Sequence, residues 1–154
     1  MLKPGDNAPD FTLTDQDGND MTLSKLLEDG PLLLYFYPAD FTPGCTKEAC
    51  DIRDMHDDIS DVGIRVVGIS PQDEDSHNRF RLKHQLPFTL LADTNKIAVK
   101  AYGVDGPMGI GVRRATFLID EDGRIENVVL ADLRIGKHGD FIRHAVSQRE
   151  TRET

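Results

Sequence analysis

Leu32-Leu33-Leu34-Tyr35-Phe36-Tyr37-Pro38-Ala39-Asp40-Phe41-Thr42-Pro43-Gly44-Cys45-Thr46-Lys47-Glu48-Ala49-Cys50 is the stretch that decides how the chain folds. It opens with a short, unbroken apolar run, the pattern of a strand covered on both faces. A helix start follows, because Thr42 is a favoured N-cap residue and Pro43 suits the first helical position. Cys45 then falls in the first helical turn, among amides with no intrahelical partner and at the positive end of the helix dipole. Both features favour the thiolate, the reactive form of the side chain. At about 100° per residue, Cys45 shares a face with Ala49, Ile52, His56 and Ile59, which is read as the buried face. Cys50 lies about 140° away, nearer Arg53, Asp54 and Asp57, and is read as facing outward.

Working outward, Ile64 to Ile69 and Ala115 to Ile119 are two more apolar runs of the same kind. Helical patterns lie at about 43–60, 74–85, 94–102 and 138–148. Strands alternating with helices indicate an α/β fold. The turn-rich Asp120 to Arg124 joins the strand at Ala115 to an alternating segment, Ile125 to Leu130, which predicts an antiparallel hairpin and hence a mixed sheet. Asp15-Gln16-Asp17-Gly18-Asn19, between Asp10 to Thr14 and Asp20 to Leu23, predicts a second, N-terminal hairpin. No repeat or linker divides the 154 residues, so a single domain is expected over 1–154, with the polar tail 148–154 frayed.

A net charge of -9 disfavours a nucleic-acid backbone as partner. No run reaches the roughly 18 apolar residues of a membrane span. Met1 to Asp10 lack a basic segment followed by an apolar one, so the expectation is a soluble, cytoplasmic protein. Cys45 and Cys50 match none of the common structural zinc spacings, and metal binding is not expected. Gly106 to Gly111 precedes a strand instead of opening a helix, which makes it a flexible loop and not a dinucleotide site. No cofactor is implied. Arg79, Arg81, Lys83 and His84 read as a solvated helix face, and no histidine is assigned a role.

A cysteine in a chain without a disulfide framework is more often a small buried hydrophobe than a nucleophile. Here the strand, the Thr42 cap, Pro43 and the first-turn cysteine act in the same direction, and function outweighs that plainer reading. The spacing Pro38-x-x-x-Thr42-x-x-Cys45 resembles the peroxiredoxins, and Cys50 five residues later is similar to their bacterioferritin-comigratory-protein (PrxQ) subgroup. The likeness extends from Pro4-Gly5-Asp6-x-Ala8-Pro9-Asp10-Phe11 through Phe88 to Asp93 and on to Ala115 to Asp120.

The resemblance implies a thioredoxin-like fold, with a central mixed sheet flanked by helices. It also implies reduction of hydrogen peroxide and organic hydroperoxides by an atypical 2-Cys peroxidase, recycled by thioredoxin or a similar dithiol reductant, and a monomer. Carried over by residue, it makes Cys45 the peroxidatic cysteine and Cys50 its partner in an intramolecular disulfide. Thr42 bonds the reacting sulfur and peroxide, Pro38 shields the pocket, and Arg114 is the active-site arginine, oriented by Glu48. Arg113, next to it, competes for that assignment. A rival reading is a peroxide-responsive sensor that uses the same cysteine pair to signal to a protein partner. A general disulfide reductase of thioredoxin type lacks its usual C-x-x-C spacing.

Overall fold

A computed structural model describing residues 2–132 and 134–153 gathers the apolar runs into one sheet of order β2-β1-β5-β4-β3-β6-β7. The elements are β1 (Thr12–Asp15), β2 (Asp20–Thr22), α1 (Leu23–Leu26), β3 (Leu32–Phe36), α2 (Pro43–Asp61) and β4 (Arg65–Ser70). They continue with α3 (Glu74–His84), β5 (Thr89–Ala92), α4 (Ile97–Ala101), β6 (Ala115–Ile119), β7 (Ile125–Leu130) and α5 (Gly136–Glu153). β3, β4 and β5 run parallel, while β1, β6 and β7 pair antiparallel to their neighbours, so the sheet is mixed as expected.

The N-terminal hairpin forms where the turn residues place it. The Asp15 carboxylate accepts from the amides of Asp17 and Asn19, both at 2.9 Å, which closes the turn. β1 also pairs with β5, so this hairpin extends the main sheet and is more than an appendage. β5 itself was not among the three apolar runs, because four residues carry too little pattern to stand out. α4 is shorter than the predicted 94–102. Asp93, not a residue nearer the helix, takes the amides of Ile97 and Val99 at 2.8 Å each, and Lys96 sits in the left-handed region (φ 56°). α5 runs on through the segment read as frayed, where Arg149 is held by Glu121 at 3.6 Å and Glu126 at 3.4 Å.

β3 lies inside the sheet between β4 and β6, and its alternation divides the core in two. Leu32, Leu34 and Phe36 join Val67, Ile69, Tyr102 and Phe117 on one face. Leu33 and Tyr35 join Tyr37, Cys45, Ala49, Ile52, Ile59, Phe80 and Phe88 on the other. The 3.6-residue period thus buries Cys45, Ala49, Ile52 and Ile59 of α2 as predicted. His56, assigned to the same face, is only half-buried, its ring 6.4 Å from Phe88. Full burial of an Ile stabilises by about 1.5–3 kcal/mol, so Ile52 and Ile59 fix the rotation of α2 about its axis. Gly68 allows Tyr35 to lie across β4: a Cβ there would meet the ring at 2.8 Å.

Candidate active site

The loop between β3 and α2 is pinned by a carboxylate that its composition did not single out. Asp40 is buried and accepts from Tyr37 Oη at 2.6 Å and Ser76 Oγ at 2.8 Å, with His77 Nδ1 at 2.7 Å. His77 Nε2 faces the Leu91 carbonyl at 3.0 Å, so the network reaches from the loop through α3 to β5. Burial pushes the Asp40 carboxyl up, but these bonds together hold it below the ordinary range. The next residue, Phe41, takes a left-handed backbone (φ 63°), and its ring packs edge-on to Phe80 at 5.2 Å. His77 and Phe80 are the buried residues of α3, three apart on one face, and that spacing was the available signal for the anchor.

Thr42 occupies the N-cap position of α2, with Pro43 next, but its hydroxyl does not cap the helix. It donates instead to the Ala39 carbonyl at 2.9 Å, which tightens the loop. Thr42 and Pro38 are both exposed. The thiol of Cys45 is buried, and it is a free thiol, as is that of Cys50.

Arg114 brings charge to the sulfur. Its Nη2 lies 3.2 Å from Cys45 Sγ, and its Nη1 donates to Glu48 Oε1 at 2.6 Å. The backbone amide of Arg114 donates to Asp132 at 2.9 Å, while Arg113 turns outward to pair with the same carboxylate at 3.1 Å. Adjacent residues in extended chain face opposite ways, so one arginine reaches the sulfur and the other reaches solvent. Interaction with Glu48 and Cys45 outweighs burial and raises the Arg114 pKa, keeping the guanidinium charged.

Glu48 is the unusual member of this cluster, a carboxyl on the buried face of α2. Its Oε2 has no hydrogen-bond partner among the described residues and stands 3.7 Å from His138 Nδ1. His138 on α5 has Nε2 at 2.9 Å from the Ala131 carbonyl and Nδ1 at 2.8 Å from Thr116 Oγ1. Burial lowers the His138 pKa, so the ring is neutral; it donates through Nε2 and accepts at Nδ1, and gives Glu48 no proton. Burial therefore dominates over the pull of Arg114 and pushes Glu48 up from 4.5 to about 7.

A stability prediction follows from the direction of that shift. The folded chain holds the Glu48 proton more tightly than the unfolded chain, so this contribution is complete below pH 4.5 and is lost as pH rises through about 7. Relative to Glu48→Gln, the wild type is expected to lose up to about 3 kcal/mol between acidic and mildly alkaline pH. Urea denaturation of both proteins at several pH values reads this, and parallel pH profiles would show that Glu48 does not titrate in that window.

Cys50 departs from the outward position read from the helical wheel. It is half-buried, with Sγ 4.0 Å from Nδ1 of His84 at the end of α3. His84 had been placed in a solvated cluster; a helix packed across Cys50 is a tertiary fact that the periodicity of α2 does not contain.

This arrangement can be compared with known proteins. A profile of the AhpC/TSA family matches residues 4–128. The chain belongs to this family. Peroxiredoxin Q, chloroplastic, of Oryza sativa subsp. japonica is 42% identical over 138 residues, which are 89% of this chain and 63% of that protein. The chain therefore spans less than two thirds of that relative's length. The crystal structure of peroxidoxin BcpB from Mycobacterium tuberculosis superposes with a TM-score of 0.89 at 36% identity, over 96% of this chain and 98% of that one. The Xanthomonas campestris bacterioferritin comigratory protein, described with an alkyl peroxide reduction activity, gives 0.83 at 25% identity, over 96% of both chains. The fold is thioredoxin-like, and the peroxiredoxin likeness, within the PrxQ subgroup, runs along nearly the whole chain.

Proposed function

We propose that the chain is a thiol peroxidase in which Cys45 reduces hydrogen peroxide and organic hydroperoxides. The observation that carries this reading is the Arg114 guanidinium, shared between Glu48 Oε1 at 2.6 Å and Cys45 Sγ at 3.2 Å, in a chain of peroxiredoxin fold. The sulfur of Cys45 attacks one peroxide oxygen as the O–O bond breaks, giving a sulfenic acid and, after protonation of the departing oxygen, water or an alcohol. Arg114 holds positive charge where negative charge moves from sulfur to the departing oxygen. Cys50 then condenses with the sulfenic acid, releasing water and leaving a Cys45–Cys50 disulfide. Thioredoxin or a similar dithiol reduces that bond by thiol–disulfide exchange.

The test is peroxide consumption coupled to thioredoxin and thioredoxin reductase. Wild type is expected to turn over repeatedly, and Cys45→Ser to fall to the uncatalysed background. Cys50→Ser should complete a single oxidation and then stall as the sulfenic acid, which a dimedone adduct would record at Cys45. Equal consumption by wild type and Cys45→Ser would end this reading.

A further inference from the structure

His84 meets Cys50 at a corner held by both helices. Arg53, nearly one turn beyond Cys50 on α2, donates through Nη1 to the His84 carbonyl at 2.8 Å, which ties the end of α3 to α2. The ring of His84 stands edge-on to Phe80 with centroids 5.1 Å apart, and Phe80 is fully buried. Backbone and ring are thus fixed separately, and Nδ1 is left facing Cys50 Sγ at 4.0 Å, the outer limit of a sulfur hydrogen bond. Such contacts are often loose in a resting protein and tighten when the reacting state forms. Charged groups near this corner come from both helices and include Arg53 with its partner Asp54 from α2, and Arg79 and Lys83, both over the Phe41 ring, from α3.

We propose that His84 is the general base for the resolving step, accepting the Cys50 thiol proton while Cys50 attacks oxidised Cys45. The inference rests on the peroxidase reading above and adds a residue to it. With the ring proton on Nε2, Nδ1 presents a lone pair to the thiol. The Cys50 S–H bond breaks and its proton passes to Nδ1. The freed sulfur pair forms the S–S bond, and the S–O bond of the Cys45 sulfenic acid breaks. The departing hydroxide takes the proton back from the imidazolium and leaves as water, so His84 is regenerated. Cys50 sulfur is oxidised by as much as Cys45 sulfur is reduced, since both end at the oxidation level of the disulfide, and no further reagent is needed.

The geometry also says which cysteine travels. Arg53 on His84 and the buried Ile52 hold α2 from Cys50 onward, so Cys45 is the one that moves to the base. A thiolate formed at Cys50 only when Cys45 arrives is protected from premature oxidation, which gives the pairing a purpose beyond packing.

The experiment separates the two chemical steps in one protein. A single equivalent of peroxide is added to wild type, His84→Ala and His84→Gln, and Cys45 sulfenic acid and the disulfide are followed by rapid quench and mass spectrometry. Sulfenic acid formation serves as the control for folding and for the peroxidase reading. Disulfide formation is expected to slow on the order of 10²-fold in both variants, with more Cys45 sulfinic acid as peroxide is raised. Added imidazole should restore the rate in His84→Ala and not in His84→Gln, whose side chain fills the site. Disulfide formation at the wild-type rate in the variants, or a slowing that imidazole does not relieve in His84→Ala, overturns the proposal. Absence of both sulfenic acid and disulfide in the wild type would overturn the peroxidase reading and this inference with it.

Discussion

Arg114→Ala is expected to lower the rate constant of Cys45 with peroxide by about 10²–10³-fold, the usual cost of removing one donor aimed at developing charge. Arg113→Ala is expected to change it by less than about fivefold, because its exposed pair with Asp132 is worth at most about 1 kcal/mol. The size of the first effect follows from what acidifying a thiol can and cannot supply. Lowering a thiol's pKa from about 8.5 to 6.5 raises its thiolate fraction at neutral pH by roughly 25-fold. Its intrinsic nucleophilicity falls by about 8-fold over the same two units, taking the slope of thiol–disulfide exchange, near 0.45. A net gain of roughly threefold is far below what enzymes achieve, so most of the acceleration has to come from placing the O–O bond and stabilising the departing oxygen. Arg114 is positioned for that task, 3.2 Å from the sulfur.

Removing Arg114 also leaves Glu48 without its buried partner, which in general costs 3–5 kcal/mol by the rule of thumb of about that size for broken buried pairs. Burial already pushes the Glu48 carboxyl towards its neutral form, and this relieves part of the penalty. The Arg114→Ala, Glu48→Gln double variant removes the remainder and isolates the electrostatic role. Stopped-flow reaction with hydrogen peroxide gives the rate constants. Equal losses in the two arginine variants, or the reverse order, would place the active arginine wrongly.

Much of this site could be read along the chain, because Cys45, Thr42, Pro43 and Glu48 are local to a single strand-to-helix turn. The apolar runs of β3, β4 and β6 and the periods of α2 and α3 were equally local. Arg114, which lies outside α2, came from the family resemblance; what escaped the sequence was the other contacts that depend on a second element. The partner of Asp40 is His77 on α3, that of Cys50 is His84 on the same helix, and Oε2 of Glu48 looks to His138 on α5. A histidine has no periodicity of its own, and its meaning comes from the group it faces. The hydroxyl of Thr42 escaped for a different reason: a cap position fixes the backbone, but the side chain has both a helix amide and the Ala39 carbonyl within its repertoire, and only the loop's conformation decides.

The disulfide is expected to form only after the start of α2 unwinds between two anchors. On an intact helix, residues five apart have Cα atoms about 8.7 Å apart, whereas a disulfide needs roughly 4.4–6.8 Å. Cys45 faces Arg114 and Cys50 faces His84, so side-chain rotation alone does not close the gap. Upstream, Asp40 is held by Ser76 and His77 of α3; downstream, Arg53 is held by the His84 carbonyl on the same helix. α3 therefore grips both ends while the turns between Thr42 and Cys50 come apart. Resistance to opening is modest, since Gly44 and Thr46 are poor helix formers and the Lys47–Asp51 pair at 2.8 Å is exposed. Amide hydrogen exchange on the reduced and disulfide forms, with the bond verified by mass spectrometry, reads the change. Protection at residues 46–50 is expected to drop by at least about 10²-fold in the disulfide form, about 2.7 kcal/mol of local stability, while Tyr37, His77 and the end of α2 keep theirs. Equal protection across 46–50 in both forms would rule the unwinding out, and loss of protection at His77 as well would show that α3 is released and does not act as the frame.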